Sequence, residues 1–274
     1  MNPNSKGTAL ITGASSGIGA VYADRLAKRG YDLILVARSE DRLKALSARL
    51  AEETGRSAEV VVADLNERAD LARIEQVLRS DASITVLVNN AGIGMSGDLA
   101  GADPDRLESM IQLNVLAPSR LALAAIPGFV ARGRGTLINI SSVLALAPER
   151  FNGSYSGTKA YLLNLSLRLQ QEVATKGVRV QVVLPGATRT PIWEKAGTDI
   201  ASLPPSIVMD VDEMVDAALV GLDRGETVTI PSLPDIADWE AYEAARQNMI
   251  PKLSLSTPAA RYRATAASAM RAHG

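Results

Sequence analysis

The stretch "TGASSGIG", residues 12–19, decides how the rest of the chain is read. It follows an apolar run, "TALIT" at 8–12, and precedes a stretch of helical character, "IGAVYADRLAKRG". Three glycines fall at Gly13, Gly17 and Gly19. Glycine lets the chain turn tightly and lets backbone N–H groups approach a pyrophosphate closely, while a helix N-terminus adds partial positive charge. A glycine trio alone is a weak signal. Between a strand and a helix it reads as the phosphate loop of a dinucleotide-binding unit.

Working outward, apolar runs of β type recur at 32–37, 58–63, 84–89, 135–141, 178–184 and 227–231. They are nearly continuous rather than alternating, as strands buried on both faces must be. Helical stretches of mixed polarity lie between them. One starts at Ser39 as N-cap and ends at Gly55, and others fit 66–80, 103–131, 153–176 and 210–223. Alternation of this kind predicts a single α/β domain over 1–231, a doubly wound parallel sheet of about seven strands with helices on both faces. Residues 186–209 are too many for an ordinary connection and are expected to form a substrate lid. The tail, 232–274, holds one amphipathic stretch, "DIADWEAYEAARQNMI", and is expected to be a helical extension packed on the same domain.

Composition removes several kinds of chemistry. The 274 residues include no cysteine and one histidine, His273, so thiolate catalysis, Cys-based zinc sites and a Ser-His-Asp triad are excluded. No metal site is expected. Hydrophobic residues make up 47% of the chain, enough for a substantial core, and the net charge of -1 shows no block of like sign. Neither nucleic acid nor a membrane is therefore expected as a partner. The apolar run at 121–131 is too short to span a bilayer, and "MNPNSKG" has no secretory pattern, so a cytoplasmic location is expected.

What remains for chemistry is Tyr, Lys, Ser, Asn, carboxylates or a cofactor. "YSGTK" at 155–159 puts Tyr155 and Lys159 one turn apart on one helix face. A free phenol, with a pKa of about 10, is a poor acid near neutrality. An ammonium fixed beside it would pull that value down and make Tyr155 a usable proton donor or acceptor. Alone, such a pair occurs by chance on many helices. At the end of the second strand, "LVARSEDRL" has Ala37 where a ribose-binding acid would mark NAD, and Arg38 follows. A guanidinium there can pair with a 2′-phosphate, with Ser39 and Arg42 as further candidates. The expected cofactor is NADP(H), with NAD(H) as the alternative.

These pieces together resemble the short-chain dehydrogenase/reductase family in its single-domain, Rossmann-type branch. "TGASSGIG" resembles its TGxxxGxG cofactor loop, "NNAG" at 89–92 its fourth-strand motif, and "YSGTK" its YxxxK. "NISS" puts Ser142 thirteen residues before Tyr155, the family's usual spacing, and Asn114 in "LNVLAP" matches the fourth member of its tetrad. The resemblance implies the catalytic set Asn114, Ser142, Tyr155 and Lys159. It also implies cofactor contacts from Gly13, Ser15, Ser16, Gly17, Ile18 and Gly19 in the loop, and from Asn90, Ala91 and Gly92 after the fourth strand. Asp64 and Leu65 would meet the adenine. Tyr155 and Lys159 would approach the nicotinamide and its ribose, and Pro185, Gly186, Thr188 and Thr190 of "PGATRT" would border the ring. Asn114 would hold a water that links Lys159 to solvent.

The implied activity is NADPH-dependent reduction of a ketone or aldehyde to an alcohol, reversible, with Tyr155 as general acid/base. Apolar residues at 143–147, with Ile192, Trp193, Ile207, Val208 and Met209, suggest an apolar substrate. A dinucleotide sensor without turnover and an NAD-dependent alcohol or hydroxysteroid-type dehydrogenase are the competing readings. Two features depart from the family: Gly157 stands where alanine is more usual, and the last strand, "GETVTIPSLPD", lacks the double-glycine ending of tetrameric members. A homodimer through the helices at 103–131 and 153–176 is expected rather than a tetramer.

Overall fold

The computed structural model describes residues 6–263. In chain order the elements are β1 (Thr8–Thr12), α1 (Gly17–Lys28), β2 (Asp32–Ala37), α2 (Glu40–Thr54), β3 (Ala58–Val62), α3 (Arg68–Ser80) and β4 (Ile84–Asn89). They continue with α4 (Pro104–Ile111), α5 (Ala117–Ala131), β5 (Gly135–Ile140), α6 (Gly153–Val173) and β6 (Val178–Val183). The last are β7 (Ala187–Thr188), α7 (Ile192–Lys195), β8 (Val208–Met209), α8 (Val211–Asp223), β9 (Val228–Thr229) and α9 (Ile236–Met249).

Seven strands form one sheet in the order β3-β2-β1-β4-β5-β6-β9, every pair parallel. This is the doubly wound sheet that the apolar runs predict. Because neighbouring side chains on a strand face opposite ways, each buried strand feeds two cores. Ile11 and Val88 join Tyr22, Leu43 and Met214 on one face. Leu10 and Leu87 join Leu71, Ile74 and Phe129 on the other. β1 and β4 are buried along their whole length, whereas the edge strand β3 is only partly covered. The strand order reverses between β1 and β4. The crevice at their C-terminal ends is where a doubly wound sheet binds ligands.

The helix expected over 103–131 is interrupted in register. Residues Gln112–Leu116 form one π-turn between α4 and α5, a wide turn often found at functional sites. The run Pro104–Ala131 is long and apolar enough, by length and composition, to cross a membrane. The 121–131 stretch taken alone understated it. Its apolar side is spent on the domain core, where Leu121, Ala124, Ala125 and Phe129 are buried.

The chain divides after Ser232 into two compact units. The second holds α9, whose N-terminus is capped by Asp235 through the Ala237 N–H at 2.9 Å. Trp239 and Tyr242 stack on one another, ring centroids 5.5 Å apart, and no residue of α9 is buried.

Candidate active site

Thr12, the last residue of β1, ties the loop after it to the loop after β4. Its Oγ1 donates to the Val88 carbonyl and accepts from the N–H groups of Asn90 and Ala91, both at 3.0 Å. Asn90 Nδ2 returns the bond to the Thr12 carbonyl at 2.9 Å. A Cβ on Gly13 would come within 2.8 Å of Asn90 Nδ2, and one on Gly19 within 2.5 Å. Two of the three glycines are thus needed to seat Asn90. Gly17 is needed for its backbone, in the left-handed region at φ +56°, where its hydrogens face Thr190. Ser16, at the N-cap of α1, makes no side-chain cap bond. The first-turn N–H groups lack the usual cap and suit an anionic oxygen. The loop fits a dinucleotide pyrophosphate.

Arg38, at the tip of β2, is 65% exposed and reaches Asp64 at 3.4 Å. Asp64 also accepts from the Asn66 N–H at 3.0 Å. Leu65 is buried in the core with Leu71 and Ile74, so Asp64 alone of the expected adenine pair presents a polar side chain. An exposed pair of this kind is worth at most about 1 kcal/mol. A 2′-phosphate could therefore draw Arg38 from Asp64 at little cost. Ser39 makes no cap bond to α2, and Arg42 is exposed.

The catalytic set converges at the start of α6. Asn152 caps that helix, its Oδ1 accepting from the N–H groups of Ser154 at 3.0 Å and Tyr155 at 3.1 Å. Phe151 meets the Tyr155 ring edge-on at 5.8 Å. Ser142 caps the short turn that follows β5, its Oγ accepting from the Leu144 N–H at 3.1 Å, and its hydroxyl is close enough to Tyr155 to favour the phenolate. Lys159 Nζ donates to the Ile140 carbonyl at 3.0 Å and lies 5.6 Å from the centroid of the Tyr155 ring. Gly92 completes the enclosure. A Cβ there would stand 3.1 Å from Asn114 Oδ1 and 3.6 Å from Lys159 Nζ.

One expectation is corrected here. Lys159 was expected to pull the Tyr155 pKa down. Burial instead pushes the phenol up to about 12, and the Ser142 hydroxyl opposes this only in part. Burial also pulls Lys159 down to about 8, because nothing anionic stands beside it to hold its proton. Asn114 sits in the π-turn. Its Nδ2 donates to the Ile93 carbonyl at 2.9 Å and to Thr158 Oγ1 at 3.2 Å, and its Oδ1 accepts from the Ile93 N–H at 3.0 Å. Both amide hydrogens and one of two lone pairs are taken by protein. The side chain thus braces the loop after β4 and keeps one Oδ1 lone pair open.

Residues 186–209 are built rather than loose. β7 and β8 pair in parallel, and the Arg189 N–H reaches the Met209 carbonyl at 3.0 Å. Trp193 Nε1 donates to the Thr188 carbonyl at 2.8 Å, so the indole is turned inward on its own segment. Pro185 accepts from the Val143 N–H at 3.0 Å, joining this segment to the serine turn. Thr188 is buried and donates to the Gly186 carbonyl, and Thr190 stands over Gly17. Of the expected apolar lining, Met209 packs on the core and Ile207 is exposed. Glu149 and Arg150 are exposed, and Gly157 has open space where a Cβ would be. A cleft of about 440 Å³ beside Gln170, Arg179 and Glu226 lies at the other end of the sheet and holds none of the motif residues.

Several supporting residues were not anticipated from the sequence. Asn89 donates to Asn139 Oδ1 at 3.0 Å and to the Pro118 carbonyl, Asn139 donates to Ser166 Oγ at 2.9 Å, and Ser166 donates to the Leu162 carbonyl. This chain of buried polar groups fastens β4 and β5 to α6. Ser141 Oγ adds a bond to the Lys159 carbonyl at 2.7 Å. The signal for them was polar residues inside otherwise apolar strands, which can persist there only if hydrogen-bonded.

Known proteins resemble this chain in sequence and fold. Residues 7–201 match the family model described as short chain dehydrogenase. A short-chain dehydrogenase from Sphingobium yanoikuyae, solved in complex with NADPH, is 51% identical and superposes with a TM-score of 0.91, covering 94% of this chain and 100% of that one. The bulky-bulky ketone specific alcohol dehydrogenase from Comamonas testosteroni is 45% identical at a TM-score of 0.87, covering 94% of this chain and 99% of that one. The very-long-chain 3-oxoacyl-CoA reductase of Anas platyrhynchos is 34% identical over 189 residues, which span 68% of this chain and 61% of the duck enzyme.

Proposed function

The chain belongs to the short-chain dehydrogenase/reductase family, an oxidoreductase family, and on that premise we propose that it reduces a bulky, apolar ketone or aldehyde to an alcohol with NADPH, reversibly. The observation that carries the proposal is the convergence of Tyr155, the Ser142 hydroxyl that acts on it and buried Lys159, beside a glycine loop shaped for a dinucleotide. Bound NADPH would supply the hydride, which no side chain can. The N-terminus of α1, with Gly13, Gly17 and Gly19 before it, would hold the pyrophosphate, and Arg38 the 2′-phosphate.

The protein's own part is the oxygen and its proton. The Ser142 and Tyr155 hydroxyls hydrogen-bond the substrate carbonyl oxygen and fix its orientation. Negative charge grows on that oxygen during reduction, and donors already aimed at it stabilise the transition state. Tyr155 then gives up its proton. A phenol pushed up to about 12 is protonated throughout the physiological range, so the donor is always loaded. Lys159, as a cation, offsets the phenolate that this leaves behind.

Bulk and apolarity of the substrate are argued from the residues around the mouth, Leu144, Leu146, Ile192 and Trp193, each partly exposed, and from the printed specificity of the Comamonas relative. A panel run with NADPH tests this. Bulky aryl and alicyclic ketones are expected to exceed polyols and sugars in kcat/KM. A preference for sugars would refute the substrate class, and cofactor binding without turnover of any carbonyl would refute the activity. The surface of α4, α5 and α6 exposes Ile111, Leu116, Leu123 and Tyr161, which supports association of two copies through that face.

A further inference from the structure

Asn152 does more than an N-cap requires. A cap needs one acceptor, and Ser, Thr or Asp supplies it as well. The asparagine amide also brings a donor, and Nδ2 gives it to the Gly97 carbonyl at 2.7 Å. Asn152 is 8% exposed while Gly97 is exposed, so the bond fixes the place of the loop more than it spares a buried carbonyl. Gly97 belongs to the loop that follows "NNAG". One residue earlier, Ser96 Oγ donates to the Ala196 carbonyl at 2.5 Å, at the end of α7 in the 186–209 segment. Gly94 is in close range of the Ala196 Cβ, and both Met95 and Ala196 are buried. The other end of the same loop carries Gly92, beside Lys159 and Asn114.

A short path therefore runs from the lid to the acid. It passes from the Ala196 carbonyl to Ser96, along the chain to the Gly97 carbonyl, through the Asn152 amide, and on to the N–H of Tyr155. We propose that Asn152 is a positioning residue that sets the place of Tyr155 and the place of the 186–209 segment together, with loop 92–98 as the strap between them. This rests on the carbonyl-reductase reading for its kinetic consequence, though not for its structural one. A phenol displaced by about 1 Å is enough to cost up to 10²-fold in rate.

The test uses Asn152→Ser, Ser96→Ala and the double variant in the full chain. Asn152→Ser keeps a good cap acceptor and replaces the Nδ2 amide that reaches Gly97 by a hydroxyl on a shorter side chain. Its melting temperature and NADPH affinity are expected to stay near wild type, while kcat for ketone reduction falls about 10- to 100-fold and the pH profile of kcat shifts. Ser96→Ala cuts the same path, so the double variant is expected to lose no more than Asn152→Ser alone, a non-additivity that separate roles would not give. Amide hydrogen exchange supplies the second reading. In Ser96→Ala the N–H groups of Ser154 and Tyr155, some 60 residues away in sequence, are expected to exchange faster. Wild-type kcat and pH profile in Asn152→Ser, losses that multiply, or unchanged exchange at Ser154 and Tyr155 would each overturn the proposal. Should wild-type protein turn over no carbonyl, the activity reading fails by itself. Exchange in Ser96→Ala then still decides, faster exchange supporting the strap and unchanged exchange refuting it.

Discussion

The two ends of the binding crevice are held in opposite ways. Around Tyr155 every supporting group is fixed by short bonds made out of water: Asn114 to Ile93 and Thr158, Ser141 to the Lys159 carbonyl, Asn89 to Asn139 to Ser166. At the tip of β2, Arg38 is mostly in solvent and meets only Asp64, at 3.4 Å. The difference follows the work each end does. Proton delivery to a growing oxyanion requires donors that need not reorganise during the reaction, which favours a buried, satisfied network. Recognition of a phosphate needs a charge that can swing onto it, and an exposed guanidinium with a weak partner serves.

The largest expected effect comes from breaking the rigid end. Asn139 is fully buried and bonded on both sides, so Asn139→Ala should take one bond each from Asn89 and Ser166 at once. A loss of about 1–3 kcal/mol in unfolding free energy is expected, from two lost hydrogen bonds at about 0.5–1.5 kcal/mol each, with kcat reduced as well. Urea denaturation and kinetics on the same sample check both. A loss under about 0.5 kcal/mol, the size of an ordinary surface change, would mean that the network is ornamental to the fold.

Breaking the loose end should cost stability nothing and selectivity much. In Arg38→Ala the affinity for NADPH is expected to fall by about 10- to 100-fold, the loss of a charge-assisted pair of about 1.5–3 kcal/mol, while NADH affinity stays put. Fluorescence titration with both nucleotides reads this directly. Equal losses for both would place Arg38 elsewhere in recognition, and no loss would shift the role to Ser39 or Arg42.

A smaller, graded effect sharpens the comparison. Lys159 titrates at about 8 in the folded protein, below the ordinary lysine range. As pH rises through that value the cation that offsets the phenolate disappears, so kcat for ketone reduction should decline above about pH 8. Alcohol oxidation starts from the phenolate that the same cation stabilises, so its profile should break at the same pH. Linkage has a definite sign too. Between about pH 8 and the unfolded lysine value the unfolded chain binds more protons, so stability should increase with pH across that window. Paired pH–rate profiles in the two directions, with Lys159→Met as control, test the assignment. The absence of a break near pH 8 in either direction would contradict it.

Much of this was legible before any coordinates, and the reason is local. The glycine loop, "NNAG", "NISS" and "YSGTK" each pack their chemistry into a few adjacent residues, and the near-continuous apolar runs mark β1, β2 and β4 because those strands are covered on both faces. What escaped depends on partners far along the chain. Asn152 is informative only with Gly97, 55 residues earlier, and Ser96 only with Ala196, 100 residues later. The direction of the Tyr155 shift was misjudged for the same reason. Spacing puts Lys159 beside it, but burial, a property of the whole fold, outweighs that neighbour. The π-turn at Gln112–Leu116 has no residue signature that periodicity alone would separate from an unbroken helix.

The central claim is that Tyr155 delivers the proton and that cofactor binding is built separately from it. The most direct measurement is NADPH oxidation by wild type and by Tyr155→Phe with one bulky aryl ketone, alongside NADPH titration of both proteins. The account predicts equal nucleotide affinity, an unchanged melting temperature and a kcat about 10²–10⁴-fold lower in the variant, the range for a lost acid–base group. Turnover at the wild-type rate in Tyr155→Phe would contradict it.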